Sequence, residues 1–282
     1  MKITTLIEDT PAEYKEGLTA EHGLSLHISF NRKTILFDTG TSERLSQNAD
    51  ALGVDLGTVS LTVLSHHHYD HGGGLPRFFE LNTNAKVYLK NPPAGECYFK
   101  APLLPERYIG LNRDLFSRYP ERFVFVEHFT EILPGVYVFT DIGSTYPKPG
   151  GNKYLHVRRD SQWSPDPFSH ELIMVVKEEG KLVIFTGCSH NGMLNMLDTV
   201  VKHFQGIPVR AVIGGFHLMG LQKLNTMAGS KSEIQRLAKK ILEYSVQSVY
   251  TGHCTGQKAF VVLKGVLGEK LQHLHTGTVF EI

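Results

Sequence analysis

Apolar and polar positions alternate over "KITTLIED", residues 2–9, with the two-residue period of a strand that buries one face. "LSLHISF" and "TILFDTG" repeat the pattern on either side of "NRK", which predicts a hairpin. "SERLSQNADALGV" then changes to helical spacing. "SLTVLS" is a short β-branched run that ends where a group of histidines begins, so "HHHYDH" (66–71) falls on the loop leaving a strand. "GGLPRFFEL" predicts a helix and "AKVYLK" a strand. In the second half, "LIMVVKEEGKLVIFTG" predicts a hairpin turning at "EEGK". A helix "NMLDTVVKHF", a strand "VRAVIGG", an amphipathic helix "KSEIQRLAKKILEY", a strand "SVQSVYTG" and a helix "QKAFVVLKGVL" follow. Strands alternating with helices predict an α/β class, and the hairpins predict mixed rather than purely parallel sheets.

Residues 91–165 break this rhythm. Pro, Tyr, Arg and Gly crowd "NPPAGECYFKAPLLPERYIGLNRD", and "GSTYPKPGGN" is a loop signal. The expectation is one domain over residues 1–282 with an insertion at about 91–165 that covers one face, containing strands in "RFVFVEHF" and "GVYVFTDI". Tyr98, Arg107, Tyr108 and Arg113 in that segment are candidates for substrate contact.

Composition narrows the picture only modestly. The chain has 282 residues, 41% hydrophobic and 20% charged, enough for a sizeable core. A formal net charge of +1 without a long Lys/Arg run speaks against a nucleic-acid partner. No apolar stretch is long enough for a signal peptide or a bilayer span, so the expectation is a cytoplasmic protein with no membrane partner. Three cysteines, Cys97, Cys188 and Cys254, are too few for a disulfide framework and leave room for a thiolate ligand.

The chemistry starts with histidine. The chain has fifteen, and four of them lie in six positions with an aspartate among them. His66 and His68 are two apart, so their imidazoles point the same way from an extended loop, and Asp70 and His71 follow at once. Zn²⁺ takes imidazole nitrogen and carboxylate oxygen readily. Two such adjacent groups suit two cations about 3.5–4 Å apart. His67 and Tyr69 would point away.

"HHHYDH" contains H-x-H-x-D-H at His66, His68, Asp70 and His71, and so resembles the signature of the metallo-β-lactamase superfamily. "ILFDTG", "IFTGCSHNG" and "VYTGHCTG" follow in the order that superfamily shows. The resemblance implies an αββα sandwich, two mixed β-sheets flanked by helices. It implies metal ligation by His66, His68, Asp70, His71, His190 and His253, with Asp38 buttressing the metal loop. One or two divalent ions are implied, zinc first, with iron and manganese as alternatives. Cys188 stands where the superfamily carries a bridging aspartate, and both a thiolate ligand and a small buried residue remain open there. His170 in "PFSHELIMVV" is the other candidate for the third ligand, ranked behind His190. "EHGLSL", "TGCSH", "GGFHL" and "GHCTG" resemble a narrower group, the metal-dependent hydrolases of β-lactamase superfamily II, also called dihydropteroate-synthase-like. That context implies substrate contact or proton transfer for His217, set against a structural role. It gives His22 a place in the pocket, set against a turn residue. Thr255 and Gly256 lead into a helix whose first N–H groups favour a substrate phosphate or carboxylate, set against close packing as the reason for the glycine. His128, His156, His203, His273 and His275 are read as ordinary residues.

The resulting expectation is a metal-dependent hydrolase. A metal-activated water would attack an ester, lactone or phosphoester in a small-molecule substrate, with Asp70 orienting that water or moving its proton. The alternative implied by the narrower group is a transferase that joins a dihydropterin diphosphate to an aminobenzene ribofuranosyl phosphate. An iron-dependent oxidoreductase is the third reading; the diiron branch of the superfamily carries a carboxylate where this chain has His68.

Overall fold

Asn31 and Arg32 adopt positive φ (46° and 59°), and this tight turn folds Ser25–Phe30 back onto Lys33–Phe37 as the expected antiparallel hairpin. The computed structural model, which describes residues 1–11, 17–221 and 226–282, builds outward from it. Lys2–Ile7 pairs on one side of the hairpin and carries Val279–Glu281 at the edge. On the other side Leu61–Val63, Lys86–Leu89 and Phe123–Phe125 add as parallel strands. The second seven-stranded sheet runs in space from Leu271–His273 through Ser248–Thr251, Val209–Ile213, Lys181–Phe185, Ile173–Glu178 and Val136–Phe139 to Thr130–Leu133. Its first four strands are parallel and the rest antiparallel.

Alternating side chains of the two sheets meet face to face. Ile28, Phe37 and Val63 from the first pack with Met174, Phe185 and Ile213 from the second in one buried cluster. The outer face of the first sheet is covered by helices Arg44–Ala51 and Leu75–Leu81, through Leu45, Ala49, Leu75 and Phe78. The outer face of the second is covered by Met193–His203, Lys231–Glu243 and Gln257–Leu267. The layers are therefore helix, sheet, sheet, helix, with two mixed sheets as expected. Among the described residues no helix is long and apolar enough to cross a membrane.

The segment 91–165 divides its work rather than forming one insertion. Phe123–Phe125, Thr130–Leu133 and Val136–Phe139 are edge strands of the two main sheets. A separate four-stranded sheet, Gln162–Pro165, Leu155–Arg159, Glu96–Phe99 and Arg107–Tyr108, is what lies over the histidine loop. An isolated bridge between His68 and Gly110 ties the two together.

What positions the site is the direction of the parallel strands. Asp38, His66, Cys188, His217 and His253 each lie just past the carboxyl end of a strand, and the ends from both sheets open onto one rim. Open α/β sheets bind ligands at that end.

Candidate metal centre

The backbone of the rim is unusual before any side chain is considered. Asp38, Ser189, His217 and His253 have φ of 59°, 58°, 48° and 48°, a left-handed region that non-glycine residues rarely enter. Such conformations persist where the surroundings hold them, and they gather at functional sites.

Three imidazoles form the first half. His66 Nε2 lies 3.0 Å from His68 Nδ1. The His190 ring stands 4.9 Å from that of His66 and 5.0 Å from that of His68, centre to centre. Two of the rings are fixed from behind. His66 Nδ1–H reaches Ser65 Oγ at 2.9 Å, and that hydroxyl donates to Asp38 Oδ2 at 2.8 Å. His190 Nδ1–H donates to Asn152 Oδ1 at 3.2 Å, while Phe168 stacks on the ring at 4.4 Å and 8°. These second partners settle which nitrogen faces inward, as they do in metal sites generally. Burial, then repulsion from the neighbouring histidines, holds His66 and His190 far below the usual imidazole range; His68, with His170 the main neighbour, falls to about 3. All three therefore offer lone pairs, which is the state a cation requires.

The second half is anionic. Asp70 Oδ2 sits 3.3 Å from His253 Nε2, 3.3 Å from His22 Nε2 and 3.7 Å from His71 Nε2. The Cys188 Sγ lies 3.1 Å from His71 Nε2 and 3.4 Å from His253 Nε2. His71 donates Nδ1–H to Asp38 and His253 donates Nδ1–H to Asp9, both over 2.6 Å. Although burial favours the neutral ring, Asp9, Cys254 and Asp70 raise the affinity of His253 for a proton well above normal, and Asp38 and Asp70 raise that of His71. The carboxylates thus ask for positive charge at this spot.

A divalent cation meets both demands. His66, His68 and His190 bring donor atoms within 4.8 Å of one another, and so do Asp70, His71, Cys188 and His253. His190 Nε2 is buried with no hydrogen-bond partner among the described residues, a costly state that coordination relieves. The residues present fit one or two ions.

Two expected residues go elsewhere. His170 accepts a hydrogen bond from the His67 backbone N–H at 3.2 Å through Nδ1 and donates Nε2–H to Asp166 at 3.1 Å. Both nitrogens have protein partners, although His170 also forms a group of donor atoms within 4.8 Å with His68, Cys97 and Asp166. Thr255 is fully buried, and its hydroxyl accepts the Phe216 N–H at 3.0 Å and pairs with Thr251 Oγ1 at 2.6 Å, which leaves it in the wall rather than facing a substrate. Gly256 follows at φ 72°, half-buried, where a Cβ would stand 3.1 Å from Met219. His217 does reach the centre. Its ring is 4.3 Å from that of His190, and both its nitrogens are buried with no hydrogen-bond partner among the described residues. The glycines after His71 are explained by contact: a Cβ on Gly73 would lie 2.1 Å from the Thr41 carbonyl oxygen.

Asp9, Asn152 and Glu171 were not read from the sequence. Glu171 accepts the N–H groups of His190 (2.8 Å) and Asn191 (2.7 Å), and so fixes the turn that carries His190. The signal for it was a buried-strand context with one acidic residue at its start, "SHELIMVV". Beside the centre, and not on it, a cleft of about 460 Å³ opens between the loop residues Tyr69 and Gly73 and the covering segment at Glu96, Tyr108 and Arg113.

The chain is similar to known proteins over its whole length. The chain is 29% identical to the 7,8-dihydropterin-6-methyl-4-(beta-D-ribofuranosyl)-aminobenzene-5'-phosphate synthase of Methanocaldococcus jannaschii, over 100% of this chain and 96% of that one. It is 28% identical to an uncharacterized protein of the same organism, over 93% of each. A crystal structure of a metal-dependent hydrolase of the beta-lactamase superfamily superposes with a TM-score of 0.81 at 30% identity, covering 100% of this chain and 99% of the other. The family model described as the metallo-beta-lactamase superfamily matches residues 22–191, and the chain belongs to that superfamily.

Proposed function

We propose that this protein is a metal-dependent hydrolase acting on a small ester, lactone or phosphoester. His66, His68 and His190 hold one ion, and Asp70, His71 and His253, with Cys188 between the last two, hold the other. The observation that carries the reading is the convergence of two buried donor groups of opposite electrostatic character, one neutral and one anionic, on a rim built from both sheets. Bound divalent ions polarise a carbonyl or phosphoryl oxygen and make water acidic near neutral pH.

The chain's own groups do the rest. Asp70 stays ionised: burial opposes this, and His71, His253 and His22 around it outweigh burial. Its carboxylate is therefore available to accept a hydrogen bond from a nucleophilic water and orient it. His217, whose ring lies 4.3 Å from that of His190, would hand a proton to the departing group. Tyr108 and Arg113, on the wall of the adjoining cleft, give a substrate's remainder an aromatic surface and a cation to lie against.

The transferase reading is kept because of one observation, the full-length likeness to a synthase. There the same centre would steady a diphosphate leaving group of a dihydropterin while an aminobenzene ribofuranosyl phosphate attacks. One experiment separates the two. Metal-loaded protein is given chromogenic phosphodiesters, esters and lactones, and separately the pterin diphosphate with its acceptor. Turnover of the first panel without diphosphate release from the second supports the hydrolase; the reverse result replaces it with the transferase.

A further inference from the structure

The Asp9 carboxylate serves two imidazoles at once. His253 donates Nδ1–H to Asp9 Oδ1 at 2.6 Å, and His22 donates Nδ1–H to Asp9 Oδ2 at 2.8 Å. The two rings lie 4.7 Å apart, tilted by 38°. Because each gives its Nδ1–H to the same carboxylate, each presents Nε2 on the far side, and both Nε2 atoms are 3.3 Å from Asp70 Oδ2. His22 is thus held as His253 is, with the same tautomer, the same partner behind it and the same group in front.

The loop carrying His22 is built to keep it there. Glu21 accepts the backbone N–H groups of Thr41 (3.1 Å) and Ser42 (3.0 Å), and Thr41 Oγ1 donates to the His22 carbonyl at 2.5 Å. The Gly23 N–H donates to Asp9 Oδ1 at 3.2 Å, and a Cβ at Gly23, where φ is 150°, would stand 2.4 Å from the Asp70 carbonyl oxygen. A residue that merely closed a turn would not need its ring fixed by a carboxylate shared with a metal-site histidine.

We infer that His22 is an additional ligand of the Asp70/His71/His253 position, and that Asp9 is the positioning residue that aims His22 and His253 together. This rests on reading the centre as a metal site. The consequence is a second position with one more imidazole than the three-residue set, and one that is assembled only when the N-terminal strand is in place.

The test reads metal, not turnover. Chelator-stripped protein is titrated with Zn²⁺ against a competing chromophoric chelator, and loaded with Co²⁺ to record its visible absorption. The wild type is expected to take two equivalents. His22→Gln should take the first with unchanged affinity and the second at least about 10-fold more weakly, with an altered Co²⁺ spectrum, and Asp9→Asn should weaken the second by about 10–100-fold. His128→Gln, on the exposed surface, should match the wild type. An unchanged second affinity in His22→Gln overturns the assignment and leaves the centre standing. Loss of both equivalents from His22→Gln also overturns it, since a ligand of one position does not empty the other. A wild type that takes up only one equivalent overturns it as well, and a wild type that takes up none overturns the centre itself.

Discussion

His71 donates its Nδ1–H to Asp38 Oδ2 over 2.6 Å, and neither side chain is exposed to solvent. The same oxygen accepts the Ser65 hydroxyl at 2.8 Å, and Oδ1 accepts the Ser65 backbone N–H at 2.7 Å. One carboxylate therefore sets the ring of His71 and, through Ser65, that of His66, one residue in each half of the centre. In Asp38→Asn an amide replaces one of those oxygens, and one donor is left facing another. Metal affinity is expected to fall about 10–100-fold at both positions. Asp38→Ala should also lower stability by about 1–3 kcal/mol for each buried donor left unpaired. Zinc titration and urea unfolding check the two effects; full affinity in Asp38→Asn would show that the rings are held by packing alone.

His170 and His190 compete for one role in the sequence, and in the structure their hydrogen bonding differs: both His170 nitrogens have partners and His190 Nε2 has none among the described residues. His190→Ala removes a buried Nε2 aimed at the centre, and is expected to lose the ion of the His66/His68 half. His170→Ala strips a partner from Asp166 and from the His67 N–H, and is expected to keep its metal while losing about 1–3 kcal/mol of stability. Elemental analysis after dialysis, with a denaturation curve for each variant, reads both. The reverse ranking would return the third position to His170.

Much of this was legible before folding, and the exceptions have physical reasons. The H-x-H-x-D-H spacing is local, so four donors are readable from one loop. His190 and His253 follow strands whose β-branched runs are evident. Asp9, by contrast, meets His253 across 244 positions, and only the placing of Lys2–Ile7 in the first sheet brings it there. "IEDTP" itself looks like any turn. Asn152 lies in a Pro/Gly loop whose pattern says loop and nothing about partners. The strands Leu271–His273 and Val279–Glu281 have three residues each, too short for a period to register. The edge strands at 123–139 were read as strands but placed in an insertion, because pairing partners are set by tertiary contact and not by alternation.

Gly73 separates two explanations for the glycine run. If the glycines serve close approach, Gly73→Ala drives a methyl against the Thr41 carbonyl oxygen, 2.1 Å from an ideal Cβ. Its φ is not left-handed, so strain of the backbone adds nothing, and the cost is overpacking, about 1–3 kcal/mol. Thermal unfolding of the metal-free protein checks it. A stable Gly73→Ala with weakened substrate binding would favour an anion-binding loop instead.

Burial pushes His67 down to about 3, with His170 as the next cause, while its Nε2–H donates to the Lys90 carbonyl at 2.7 Å. The unfolded imidazole titrates near 6.5. Between those values the unfolded chain takes up a proton that the folded chain refuses, so stability rises with pH. The contribution is complete above about 6.5 and is lost as pH falls toward 3, at up to about 1.4 kcal/mol per pH unit. His67→Gln keeps an N–H for Lys90 and removes the titration. The stability difference between wild type and variant, measured on metal-free protein from pH 5 to 8, should grow up to about 6.5 and then level. A difference independent of pH would mean that folding leaves the proton affinity of His67 unchanged, and one that falls as pH rises would mean that it is protonated in place.

His217 decides how the proposed chemistry ends. Its nitrogens are buried and lack hydrogen-bond partners among the described residues, and its ring stands 4.3 Å from that of His190. A cluster of Cys188, His190 and His217 donor atoms within 4.8 Å also makes it a conceivable ligand. The two roles differ in what a substitution removes. As a proton donor to the leaving group, His217→Gln should retain both metal equivalents and lower kcat by about 10²–10⁴. The loss should shrink for substrates whose leaving group is acidic enough to depart without a proton. As a ligand, it should lose metal first and show the same deficit with every leaving group. Turnover of an ester series with graded leaving-group pKa, run on protein of measured metal content, distinguishes them. Strong dependence on leaving group at full metal content is the result expected of the proton-donor role proposed above.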